Sequence, residues 1–149
     1  MPRLLASVLL CVVLPWPQNA NTYRKRTPED DACERDPQLC LWKNIKKALI
    51  GPNGAEYFET SMKGALLPPL QGKVVRLDPV VAPRIIVLAV EDGTTPDATL
   101  KFDKRLPGKV KAGAELIFEG VPQSYTTSPF MVVFDVDRDH LQGWPKANR

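Results

Sequence analysis

Catalysis needs a positioned nucleophile, an acid-base pair or a set of metal ligands, and few residues of this chain have the type and spacing to supply one. The single histidine, His140, stands near the C-terminal end of the sequence. Ser124 and Ser128 fall in "GVPQSYTTSP", where serine and threonine are expected for their turn-forming hydrogen bonds. Hydrolysis through these residues is therefore disfavoured. "DVDRDH" sets Asp135, Asp137 and Asp139 on one side of an extended segment, and such oxygens could hold calcium. A helix-flanked calcium loop, however, requires glycine after its third aspartate and glutamate at its end. This chain has His140 and Lys146 there, so solvated carboxylates at a strand exit are the simpler reading. Trp42, Tyr57 and Met62 could be imagined as a ligand cage, but aromatic and methionine side chains on a helical stripe read as core. No enzyme activity, metal or cofactor is expected.

Cys33 and Cys40 are the cysteines with a chemical reading. Six residues separate them, whereas a redox motif wants two, and no histidine lies nearby for a metal site. A structural disulfide is expected, worth about 2 to 3 kcal/mol through loop entropy in an oxidising compartment. The start of the chain points to such a compartment. "MPRLLASVLLCVVLPWPQNA" has one basic residue, Arg3, an apolar run from Leu4 to Leu14 and a segment ending in Ala20. That layout is a secretory signal peptide, residues 1–20, with an apolar run too short to span a bilayer. Leu10 before Cys11 does not fit lipoprotein processing. Removal of the leader takes the basic count from 20 to 19 against 17 acidic residues, a net of +2 that suggests no polyanion partner.

The elements that must position any site follow from periodicity. Residues 21–35 mix both charge signs with almost no apolar side chains and read as a flexible leader. Asp36 can cap a helix beginning at Pro37, with Leu41, Ile45, Ala48 and Leu49 at helical spacing before Gly51 and Pro52. Asn53 can cap a second helix with Glu56 three residues on and a stripe of Phe58, Met62, Ala65 and Leu66. The spacing from Gly72 onward becomes strand-like, through "GKVVRLD", "RIIVLAVE" and "ATLKFD", then the stretch between Gly113 and Gly120, and finally Phe130 to Val136. The second strand is apolar on both faces, so its Ile85, Val87 and Ala89 require a cover, for which the helical pair is the candidate. The expected organisation is a two-helix segment over 36–71 on a mainly β, α+β domain over 72–144, a five-stranded OB-like small barrel, with a tail at 145–149. Gly113 and Gly120 bracket the fourth strand where a coiled barrel needs bends without a Cβ.

"LWKNIKKAL", "YFETSMKGALLPPLQGKVV", "DATLKFDKRLPGKVKAGAELIFEGVP" and "SPFMVVFDVD" together resemble the C-terminal domain of exported bacterial tetratricopeptide-repeat proteins, from Leu41 to Trp144. The resemblance implies an OB-like barrel outside the cytoplasm, of unassigned activity and with no catalytic signature. Only two helices precede the barrel here, so the repeats themselves are absent, and a repeat array needs several stacked units.

On these grounds the chain is expected to be an extracytoplasmic, non-catalytic binding or interaction module for a protein or glycan. The alternatives are a single-stranded nucleic-acid-binding barrel and a structural envelope protein. Nucleic acid is disfavoured because the second and third strands offer Ile85, Val87, Ala89, Thr99 and Lys101 but no stacking aromatic. The loops 78–84 and 120–129 would flank the barrel mouth. Arg84, Tyr125 and Thr126 are the candidate ligand contacts, with Arg76 and Lys101 beside them.

Overall fold

A computed structural model describes residues 25–146. The signal-peptide reading of residues 1–20 and parts of the leader and tail lie outside those residues. Three helices precede a seven-stranded mixed sheet, so the chain is α+β and mainly β. Among the described residues, no helix is long and apolar enough to cross a membrane.

The segment expected to be a flexible leader contains a helix, α1 (Pro28–Arg35). Its composition indeed buries nothing, but local chemistry suffices. Thr27 and Asp30 form a reciprocal capping box, Pro28 opens the helix, and Glu29, Asp30 and Asp31 sit at its positive end. Cys33 is joined to Cys40, which ties α1 to the next helix. That helix, α2 (Pro37–Ile50), starts as its sequence predicts, with the Asp36 carboxylate accepting from the Leu39 amide at 2.9 Å. Its buried stripe is Trp42, Ile45 and Leu49, while Leu41 and Ala48 are only half-buried. A short α3 (Gly54–Tyr57) follows and widens into a π turn over Phe58–Met62. The Asn53 side chain makes no cap here, and Leu66 is exposed rather than part of the stripe. Gly54 is obligatory at this junction because a Cβ there would lie 2.0 Å from the Leu49 carbonyl oxygen.

The strands are β1 (Leu70–Asp78), β2 (Ile85–Ala89), β3 (Ala98–Lys101), β4 (Glu115–Phe118), β5 (Val121–Thr127), β6 (Phe130–Asp135) and β7 (Leu141–Gln142). Their order in the sheet is β5-β6-β3-β2-β1-β4-β7, antiparallel throughout except for the parallel pair β3 and β6. The count of five is thus corrected to seven, and the hydrogen-bonded ladder among the described residues is not closed into a barrel. The main addition is β5, in the stretch taken for a polar loop. It lies at an end of the order, where a strand paired on one side tolerates Pro122 and outward polar residues. Only Glu119 and Gly120 separate β4 from β5, so the chain turns sharply between nearly opposite ends of the order. Gly120 makes this possible: a Cβ would meet Phe134 and Val136 side chains at 3.0 Å. Gly113 serves differently, as a turn residue with φ +86° before β4. The segment before β1 bridges the seam, with the Leu67 amide donating to the Gly120 carbonyl at 3.1 Å.

The expectation that the helices roof Ile85, Val87 and Ala89 is overturned. The helices instead fill the inner side of the sheet, where Trp42, Ile45, Leu49, Phe58 and Met62 join Ile86, Leu88, Leu100, Phe118 and Phe134 in one core. Trp42 meets Phe130 edge-on at 5.8 Å and Phe134 at 6.2 Å. The physical reason is size: a fully buried indole needs the deep, aromatic-lined interior rather than a flat outer stripe. Val87 is covered on the outside by its register neighbours Arg76 and Thr99.

Candidate binding surface

The deepest polar feature of the molecule is structural. Asp97, just before β3, is the only buried charged side chain among the described residues. It accepts hydrogen bonds from the Trp42 indole at 2.8 Å, the Val90 amide at 2.7 Å and the Glu91 amide at 3.1 Å. Burial pushes its carboxyl up, against the pull of these three donors. In the same β2–β3 connection Asp92 does the opposite. It is exposed, and hydrogen bonds from the Thr95 side chain and amide and from Thr94 hold it well below the usual carboxylate range. Nothing local in "DGTTPDA" signals an indole partner 55 residues away.

Of the residues considered for chemistry, His140, Asp135 and Asp137 are brought together, whereas Ser124, Ser128 and Asp139 do not line their cleft. His140 lies in a 3₁₀ turn (Arg138–His140) and lines a cleft with Lys101, Asp103, Glu119, Asp135 and Asp137. Ser124 and Ser128 are exposed on or beside β5 and do not line that cleft. Asp135 and Asp137 share it without Asp139, and among the described residues no group of three or more potential ligands could hold a metal. Trp42 and Met62 are fully buried and Tyr57 packs against the core, which is the core reading rather than the cage.

The candidate ligand contacts divide into two groups. On the outer face, register aligns Arg76 with Val87, Thr99 and Val133, and the next row runs Asp78, Ile85, Lys101 and Asp135. Arg84 precedes Ile85 and donates to the Asp103 carbonyl, so Arg76, Arg84 and Lys101 gather around this end of β2. Tyr125 and Thr126 stand at the other end of the β5–β6 pair, opposite Val132 and Met131. Along β6, Val132 is three residues, about 10 Å, from the Asp135 end of the Lys101 row but only one residue from the Val133 end of the Arg76 row. Both are also engaged: Tyr125 packs on Phe58 with ring centroids 4.9 Å apart, and the Thr126 hydroxyl donates to the Pro129 carbonyl at 2.6 Å. The residues that sequence reasoning passed over are Val80 and Val81, which are 66% and 59% exposed in the loop between β1 and β2. Paired valines between two prolines, in "DPVVAPR", were the available signal. Comparison with known protein families, with curated proteins and with solved structures finds no match to this chain.

Proposed function

We propose that this chain is an extracytoplasmic, non-catalytic binding module that takes a protein or glycan on the outer face of β1, β2, β3 and β6. The observation that carries the reading is the half-exposed apolar strip of Ile85, Met131 and Val133 around Val87, bordered by Arg76 and Lys101. An apolar strip with a polar rim suits a partner surface. Asp78 and Asp135 share a row with Lys101, and these rows carry no aromatic side chain, which favours a protein or glycan over single-stranded nucleic acid. The Cys33–Cys40 bond is compatible with an oxidising compartment. The finer architecture belongs to the same proposal. A parallel β3–β6 pair beside a sharply bent β4–β5 segment is OB-like connectivity, in keeping with the resemblance to the C-terminal domain of exported tetratricopeptide-repeat proteins.

The test is a pull-down from envelope extract and a glycan array, run on the wild type and on Arg76→Glu/Lys101→Glu. The proposal expects a partner or glycan that the wild type retains and the variant releases. Empty arrays and empty pull-downs, or retention that ignores the variant, count against it.

A further inference from the structure

The tip formed by residues 78–84 and 103–111 combines two features. The first is apolar exposure that the fold actively maintains. The Ala82 amide donates to Gly108 at 3.0 Å, the Leu106 amide to Pro83 at 2.9 Å and the Arg84 amide to Asp78 at 3.1 Å. Pro83 and Leu106 are buried, and Ala82 holds a positive φ of 52°, a conformation non-glycine residues avoid unless their surroundings impose it. The loop is thus fixed from beneath while Val80 and Val81 are left in solvent. The second feature is charge. Residues 103–111 carry Lys104, Arg105, Lys109 and Lys111 against Asp103, a net of +3, while Asp78 and Arg84 on the other loop cancel. These four cations are exposed, and none forms an ion pair among the described residues. On the same loop Phe102 and Leu106 turn inward and the Trp144 indole donates to the Pro107 carbonyl at 2.8 Å, so the cations are held outward on a pinned backbone.

We propose that this tip docks the protein on an anionic bilayer surface, with Val80 and Val81 entering the interface and Lys104, Arg105 and Lys109 contacting lipid headgroups. The charge complement selects this occupant. A protein partner has no need of so many cations around two valines, and a soluble polyanion has no use for the valines. An anionic interface uses both, since it attracts basic residues within a Debye length and accepts apolar side chains at the acyl boundary. This inference does not rest on the outer-face reading, because the cations it names as headgroup contacts and the valines lie outside that face.

The test is co-sedimentation of the full chain with phosphatidylcholine vesicles and with vesicles containing phosphatidylglycerol, scored as the ratio of the two affinities. The ratio cancels any binding that ignores charge. The wild type is expected to prefer the anionic vesicles. Lys104→Gln/Arg105→Gln/Lys109→Gln is expected to lower anionic binding by about 100-fold, taking roughly fivefold per cation. Val80→Ser/Val81→Ser is expected to lower it by about tenfold, with an unchanged unfolding midpoint because both side chains are already exposed. Equal affinity for the two vesicles overturns the proposal. So does anionic binding that ignores the valine variant or is matched by binding to soluble polyphosphate, since either outcome describes adsorption of a basic loop without a membrane.

Discussion

The inner side of the sheet and the tip at 78–84 and 103–111 are assembled on opposite terms. Inside, Trp42, Leu88, Leu100, Phe118 and Phe134 are wholly buried, and the one carboxylate among them has three donors. At the tip, valines face water and cations outnumber acids. Close packing makes the interior intolerant of any lost volume, whereas exposed side chains away from such features change stability little. The contrast separates what holds the fold from what meets a partner.

The sharpest way to break this contrast is Trp42→Ala. It empties the centre of the core and leaves Asp97 short of a donor, and a loss of about 3 to 5 kcal/mol is expected in urea unfolding. Val80→Ser in the same assay should stay within about 0.5 kcal/mol. Comparable losses for the two would erase the distinction between the regions.

Next in size is Asp97→Asn, expected to cost about 1 to 3 kcal/mol because an amide cannot accept from all three donors. Its pH dependence adds a sign. Because the folded-state value of Asp97 is raised, the fold holds this proton more tightly than the unfolded chain. The contribution of that proton is complete below the ordinary value of 3.8 and is lost as pH rises through the folded value. Asp92 has the opposite shift, so its contribution is present above 3.8 and falls away as pH drops through the folded value. The stability advantage of the wild type over Asp97→Asn should therefore shrink with rising pH, while its advantage over Asp92→Asn should grow. Parallel trends would contradict the difference in environment between these two carboxylates.

Smaller effects are expected at the periphery. Since α1 buries nothing, Cys33→Ala/Cys40→Ala should raise amide exchange across residues 28–35 while moving the unfolding midpoint of the sheet by less than about 2 °C. Smallest is Lys46→Ala. Lys46 pairs with Glu91 and lies 5.5 Å over the Phe130 ring, but both charged groups are a third exposed, so the loss should stay below about 1 kcal/mol.

Much of the scaffold was legible because its signals are local. The Asp36–Pro37 start of α2 follows from capping chemistry, and β3 and β6 follow from strict alternation. β5 was hidden because an edge strand carrying Pro122, Gln123 and Ser124 has the composition of a loop. α1 was hidden because its stability comes from a cap and a covalent bond rather than an apolar stripe. The side of the sheet that the helices take could not be read either, since Ile85 and Ile86 are equally apolar and only the tertiary pairing of Trp42 with Asp97 chooses between them. The tip was half visible: "KRLPGKVK" announces charge, but its neighbour Val81 arrives only through the bond between Ala82 and Gly108.

The placement of α2 inside the sheet is tested most directly by hydrogen exchange at the indole nitrogens. The Trp42 indole proton should exchange only through global unfolding, more slowly than that of Trp144, whose acceptor residue Pro107 is exposed, and should lose this protection in Asp97→Asn. Exchange of the Trp42 indole as fast as that of Trp144, unaffected by Asp97→Asn, would contradict it.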